Sequence, residues 1–345
     1  MRAKDKLDSR VRSVLPFGAV MAAGVASELA GTAGVSSLRL PLLWVAIAVA
    51  VAISLIRFLR VKSGELKRST RSSCARLGDF TVPIGVAVIG SGLARMTGTW
   101  ALWAATCSVG VACAMTVFLV LTWFAPLTAT RPRIVGVDGT WFLAPAALLA
   151  DAAGIANLER VLPVSLSHLL GWLALAVVGI GAVGYLTVLV LAGIRFVTLG
   201  IGGGARAPWW IAAGCGGLTA AALGIVSSRS PFGTSSMVIH GFGWLALGYW
   251  MIGSAILLPV LVASIWFFMK VREFQYRPPW PPTFSTGVYA LGTAQVGHLL
   301  ALPLLVTVAG IAAAATISMW AVTVLAHFAG LARNRGAFNK VSVSG

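Results

Sequence analysis

Residues 169–194 read LLGWLALAVVGIGAVGYLTVLVLAGI and contain no charged side chain. An α-helix needs about 20 mainly apolar residues to cross the hydrocarbon core of a bilayer, so this stretch is long enough for one crossing. Similar stretches occupy most of the remaining chain. Of the 345 residues, 58% are hydrophobic and 10% are charged, which leaves too little polar surface to cover a soluble globule. The chain is therefore predicted to be an integral membrane protein.

Ten membrane spans are predicted, and all of them are expected to be α-helices. A lipid-facing backbone must satisfy its own hydrogen bonds, and each apolar stretch is longer than the ~10 residues of a barrel strand. The predicted spans are 14–34, 39–60, 77–96, 100–124, 140–158, 165–195, 208–227, 238–269, 283–300 and 303–331. They make up one transmembrane transport domain, 14–331, between a basic cytoplasmic tail, 1–13, and a cytoplasmic tail, 332–345.

The basic residues predict the orientation, because Lys and Arg near the ends of spans are retained on the cytoplasmic side. With the amino terminus inside, 22 of the 26 Lys and Arg residues are cytoplasmic and four are outside: Arg39, Arg95, Arg160 and Arg229. This alternation predicts an even number of spans with both termini cytoplasmic. Cleavage of the first span as a signal peptide would break the alternation. Topology accounts for the net charge of +17, so no nucleic-acid partner is expected.

The odd-numbered spans start at similar intervals, which predicts five helical hairpins. Each odd span has an aromatic residue near its cytoplasmic start: Phe17, Phe80, Phe142, Trp209 or Trp210, and Phe284. An interfacial aromatic belt is the alternative interpretation of these residues. Pro83 and Pro145 lie several residues inside their spans, where proline is expected to kink a helix. Because the odd spans all run in one direction, a ring of them would present its positive dipole ends to an anion.

One acidic residue stands near the middle of a predicted span. Asp151 follows Thr140 by eleven residues, which places it ~16 Å along the fifth helix. A charged carboxylate there would repel an anion, and a charge in hydrocarbon is costly. Asp151 is therefore expected to be protonated, to turn toward a neighbouring hydroxyl group, or to take part in proton coupling.

Three segments in corresponding spans resemble a known family. Residues 17–27 read FGAVMAAGVAS, and residues 139–145 read GTWFLAP. The third segment matches through the spacing of five residues: Trp280, Phe284, Gly287, Tyr289 and Ala290. These segments resemble the tellurite-resistance/dicarboxylate transporter family, which includes TehA, malate permeases and slow anion channels. The resemblance extends over nearly the whole chain.

The resemblance implies a central pore lined by the odd helices and surrounded by the even helices, with one pore in each subunit of a homotrimer. It implies that Phe284 is the pore gate. Together with the sequence pattern, it makes further residues candidates for lining the pore: Phe17, Phe80, Phe142, Trp210 and Asp151. This chain has Ser285 and Thr286 where the family has Pro-Leu, a difference that is expected to alter the local kink and the stiffness of the gate.

The resemblance also implies anion transport across the plasma or inner membrane, by a channel or a carrier. The permeant ion is expected to be a small inorganic anion or a C4-dicarboxylate such as malate. The alternatives are a proton-coupled dicarboxylate carrier, an efflux carrier for sulfite or tellurite-related species, and a non-transporting membrane scaffold. The chain shows no nucleophile–base pair and no metal-ligand spacing, so no enzymatic activity, metal or cofactor is expected.

Overall fold

The computed structural model describes residues 17–32, 34–62, 77–124, 137–159, 161–199, 209–228, 236–271 and 280–342. These residues form ten α-helices and, within the described ranges, no β-strand. The helices are α1 (Gly18–Thr32), α2 (Arg39–Lys62), α3 (Thr81–Leu93), α4 (Thr99–Leu119), α5 (Leu143–Leu158), α6 (Val164–Leu199), α7 (Trp209–Ser227), α8 (Ser236–Val271), α9 (Trp280–Leu299) and α10 (Pro303–Ser342). The prediction of an all-α protein is confirmed.

The ends of the chain differ in what the structure describes. The predicted basic tail, 1–13, lies outside the described residues, and so does much of the basic connection between the second and third spans. At the other end, α10 continues as helix to Ser342, past the predicted end of the tenth span at residue 331.

Seven of the described helices are long and apolar enough to cross a membrane: α2, α4, α5, α6, α7, α8 and α10. Helix α3, together with the 3₁₀ turn that precedes it, is a shorter apolar helix, Gly78–Leu93. Helix α1 has 15 residues and begins at the edge of the described range. Helix α9 carries several hydroxyl groups along with Gln295 and His298. Burial inside the protein explains this, because a helix surrounded by other helices does not need a fully apolar surface.

Each odd helix packs against the even helix that follows it in the chain, in five pairs from α1 with α2 to α9 with α10. Helices α7 and α8 show the antiparallel sense of such a pair. Trp210, at the start of α7, donates from Nε1 to Ser264 Oγ of α8 at 3.1 Å. Further along α7, Gly216 lies against Gly253, which comes earlier in α8.

The five odd helices pack side by side in a closed ring, in the order α1, α3, α5, α7, α9 and back to α1. Helices α1 and α3 run in the same direction, because Val20 contacts Gly85 and Val88 contacts Gly24. The contacts between α3 and α5, between α7 and α9, and between α9 and α1 show in the same way that each of these pairs runs in one direction. All five odd helices therefore place their amino-terminal ends at one end of the bundle.

Burial separates the two sets of helices. In the membrane-spanning windows of α5 and α7, 89% and 94% of the residues are buried inside the protein. In the corresponding windows of the five even helices, the buried share lies between 17% and 33%. The exposed residues of the even helices are mostly large and apolar. Because such a surface is stable only in lipid, the chain is a multi-pass membrane protein with the odd helices inside.

Both prolines that are predicted to kink odd helices lie just after a 3₁₀ turn. Gly78–Phe80 precedes Pro83, and Gly139–Phe142 precedes Pro145. Each proline is the third residue of its α-helix. In the first turn of an α-helix the backbone N–H has no intrahelical acceptor, so proline is well tolerated there. Pro259 differs, because it lies well inside α8, where proline removes a backbone hydrogen bond.

Candidate functional site

A cavity of about 130 Å³ lies on the axis of the ring of odd helices. All five odd helices contribute to its wall. The lining residues are Val25, Glu28 and Thr32 of α1; Ile84, Val88 and Ser91 of α3, with Arg95 just beyond it; Ala150 and Ala153 of α5; Leu218, Ala221 and Ile225 of α7; and Phe284, Val288, Leu291, Ala294, Gln295 and His298 of α9. This volume is below the ~300 Å³ of a small ligand pocket, so it suits a small ion with a few water molecules.

Phe284 lies at the end of the cavity nearest the amino-terminal ends of the odd helices. It is the first lining residue on α9, and the last one is His298, ~21 Å further along the helix at 1.5 Å per residue. The side chain of Phe284 is buried, with 4% of its surface exposed. At the same end, the first lining residue of α3 is Ile84. Apolar side chains therefore line this end of the cavity.

Helix α9 is packed tightly around Phe284. Trp280, one turn before it, lies against Gly18 of α1. Ser285 is buried against Gly214 of α7, and its Oγ has no hydrogen-bond partner among the described residues. Thr286 Oγ1 donates to the carbonyl oxygen of Pro282 at 2.8 Å. The two residues that replace the family's Pro-Leu therefore face a neighbouring helix and the backbone of α9 itself.

The opposite end of the cavity is polar. Glu28 Oε2 and Arg95 Nη1 form an ion pair at 2.6 Å. Ser91 Oγ accepts a hydrogen bond of 2.8 Å from Asn157 Nδ2 of α5. Arg95 is one of the four basic residues predicted to lie outside, but its pairing with Glu28 depends on how α1 and α3 are rotated against each other, which sequence does not show.

The other aromatic residues at the starts of the odd helices are buried between helices. Phe142 packs against Tyr185 of α6 with ring centroids 5.7 Å apart. Phe17 contacts Gly85 of α3. Phe80 is fully buried, and the hydrogen bond of Trp210 is made to the outer helix α8. The described lining of the cavity contains none of these four residues, so their part in a longer conduction path stays a prediction.

Asp151 lies between two cavity-lining positions of α5 but faces a different helix. Its side chain is 2% exposed and interacts with Thr116 and Cys113 of α4. Asp151 Oδ1 has no hydrogen-bond partner among the described residues. The structure thus places this carboxyl group beside a neighbouring hydroxyl and outside the described cavity lining, while its protonation and any proton coupling stay predictions.

A ring of five parallel helices with a cavity on its axis is an arrangement that can serve transport across a membrane. Residues 13–328 match the family model SLAC1, described as voltage-dependent anion channel. The protein belongs to this family. The resemblance seen in the three sequence segments is therefore confirmed, and membership assigns the chain to anion transport across a membrane. No curated protein matches the chain. Members of the voltage-dependent anion channel family are transporters or channels rather than enzymes.

Proposed function

We propose that anions cross the membrane along the axis of the odd helices and that Phe284 closes this path. The observation that carries the proposal is the position of Phe284, at the end of a cavity to which all five odd helices contribute. A buried aromatic ring there excludes water and ions from the axis, because an ion in an apolar constriction loses its hydration shell. Movement of one side chain would then open the path.

The walls of the cavity favour some anions over others. Its middle section is apolar, with Val88, Leu218 and Val288 on three different helices. At its polar end the positive charge of Arg95 is offset by Glu28 at 2.6 Å. An entering anion is thus weakly attracted and must lose much of its water. Large, weakly hydrated monovalent anions should therefore pass more readily than divalent malate or sulfate.

The test is anion flux in proteoliposomes, with wild type compared with Phe284→Ala and Phe142→Ala. Chloride, nitrate and malate are measured in turn at two pH values. We expect a large increase in flux for Phe284→Ala, because the ring that closes the cavity is removed. Phe142→Ala removes an aromatic ring of the same size that packs on Tyr185. Equal fluxes in wild type and Phe284→Ala would contradict the gate, and an equal rise in Phe142→Ala would show that closure of the path does not depend on Phe284 in particular.

A proton-coupled carrier is the second candidate function, and Asp151 is the observation that favours it. Asp151 is a buried carboxyl group with one oxygen atom that has no hydrogen-bond partner among the described residues. Such a group is unusual in a membrane-spanning helix and often marks a proton path. For this function, Asp151→Asn should abolish the pH dependence of flux. An unchanged pH dependence would leave the channel as the better description. No flux in any folded, inserted variant would favour a non-transporting scaffold.

The assembly and placement of the protein are also proposals. The family resemblance supports a homotrimer, and the distribution of Lys and Arg supports a plasma or inner membrane protein with both termini cytoplasmic. In that orientation Phe284 lies toward the cytoplasm and the Glu28–Arg95 pair toward the outside. Native mass spectrometry would test the trimer. Reporter fusions at the two termini would test the topology, and a reporter active outside would overturn it.

A further inference from the structure

The polar end of the cavity contains an arginine that is only partly used by its ion pair. Arg95 Nη1 lies 2.6 Å from Glu28 Oε2, and the exposed fraction is 27% for the Arg95 side chain and 6% for that of Glu28. Arg95 Nε is buried and makes no hydrogen bond with any described residue. A guanidinium group has five N–H donors in a planar fork. The pair therefore leaves at least one buried donor of Arg95 without an acceptor among the described residues.

Neutral donors lie along the same end of the cavity. Asn157 Nδ2 donates to Ser91 Oγ at 2.8 Å, and both side chains are buried. This bond uses an acceptor position of the serine oxygen and leaves the O–H proton free to donate at the cavity wall. Gln295 and His298 of α9 line this end as well. Hydrogen-bond donors from α3 and α9 thus lie at the same end of the cavity as the Arg95 guanidinium group.

We propose that Arg95 is an anion-binding site for small monovalent oxyanions, and that Glu28 is a tethered carboxylate which occupies this site when no ion is bound. The inference deepens the proposed function, because the site lies on the proposed path. A carboxylate and a nitrate ion are both planar and present oxygen pairs of similar geometry to a guanidinium. Nitrate can therefore take the place of the Glu28 carboxylate and also accept a hydrogen bond from the Ser91 hydroxyl group.

The exchange explains how an arginine in the cavity wall can serve transport. An unopposed guanidinium in a narrow cavity would hold an anion too firmly for release, because conduction requires binding that is also weak enough to leave. The carboxylate competes with the bound ion and so speeds its departure. Without Arg95, the same carboxylate would be an unpaired negative charge that repels anions.

Nitrate binding to the purified full-length protein tests the site without any transport measurement. The unfolding temperature is followed by the fluorescence of the 13 Trp residues during nitrate titration, with gluconate keeping the ionic strength constant. We expect Glu28→Gln to lower the half-saturating nitrate concentration about tenfold, a usual size for coupling between two sites. Arg95→Gln should abolish the nitrate response, and Arg95→Lys should keep part of it.

Glu159→Gln is the matched control. It removes one negative charge at the same end of the bundle, just beyond α5, and Glu159 interacts with His168 rather than lining the cavity. The nitrate response of this variant should equal that of wild type. If Arg95→Gln does not fold, the double variant Glu28→Gln/Arg95→Gln has no unpaired charge and should fold without responding to nitrate.

Three results would overturn the inference. They are a nitrate response that survives in the double variant, weaker nitrate binding in Glu28→Gln than in wild type, and no nitrate response in both wild type and Glu28→Gln. The second would identify a purely structural ion pair. These results do not depend on flux, so they are distinguishable from a failure of the proposed pore, which the Phe284→Ala flux measurement decides.

Discussion

Gly217 of α7 and Tyr289 of α9 are in direct backbone contact. A Cβ atom added at Gly217 would lie 2.5 Å from Tyr289 Cα, and one added at Gly292 would overlap the Gly217 carbonyl group. On its other side, Tyr289 stacks on Trp250 of α8 with ring centroids 5.8 Å apart. The helix that carries Phe284 is thus fixed between α7 and α8 one to two turns beyond this residue.

Gly217→Ala should destabilise the protein, because the added methyl group meets backbone atoms that cannot rotate away. Overpacking of this kind costs about 1–3 kcal/mol. The measurement is the unfolding midpoint in detergent. Gly248→Ala in α8 is the control, since a Cβ there meets nothing within 4 Å and alanine is the better helix former. Equal midpoints for the two variants would contradict the close packing of α7 and α9.

Ser91→Ala should also lower the stability of the protein, because Ser91 is the hydrogen-bond acceptor of the Asn157 amide. The change leaves the buried Asn157 amide without the acceptor at 2.8 Å, and an unsatisfied buried donor costs about 1–3 kcal/mol. Adding Asn157→Leu should restore part of the loss, because both polar groups are then gone. Ser318→Ala, which removes an exposed hydroxyl on α10, should leave the unfolding midpoint nearly unchanged. A loss in the double variant equal to the sum of both single losses would show that the two residues act independently.

The sequence predicted the helices better than it predicted their faces. Ten apolar stretches indicate ten helices because lipid leaves the backbone no alternative. Helix α7 is apolar on every side, so no periodicity shows which face meets the axis. The bond from Trp210 to Ser264 of the outer helix α8 could therefore not be read from the sequence.

The ion pair was beyond sequence analysis for a related reason. Glu28 and Arg95 are each visible as charged residues near the ends of odd spans. Whether they meet depends on the rotation of α1 against α3, which is set by close contacts such as Val88 on Gly24. Charged residues at equal depth on two parallel spans are the signal that could have suggested the pair.

Ser285→Ala is expected to raise the unfolding midpoint. Ser285 Oγ is buried without a partner among the described residues, and burying such a hydroxyl group costs about 1–3 kcal/mol. The neighbouring change Thr286→Val should have the opposite effect, because it removes the bond of 2.8 Å to the Pro282 carbonyl oxygen. A lower midpoint for Ser285→Ala would mean that its hydroxyl group has a stabilising partner, such as a bound water molecule.

Val288→Thr should reduce the selectivity of the path when it is tested in the Phe284→Ala background. Val288 lines the apolar middle of the cavity, and threonine has nearly the same shape but offers a hydroxyl donor to a passing ion. The donor replaces part of the lost hydration, which helps strongly hydrated chloride more than weakly hydrated nitrate. The nitrate-to-chloride flux ratio in proteoliposomes should therefore fall. Val183→Thr makes the same change on the exposed surface of α6 and should leave the ratio at its Phe284→Ala value. If the two threonine variants gave the same ratio, dehydration along this wall would not determine which anion passes.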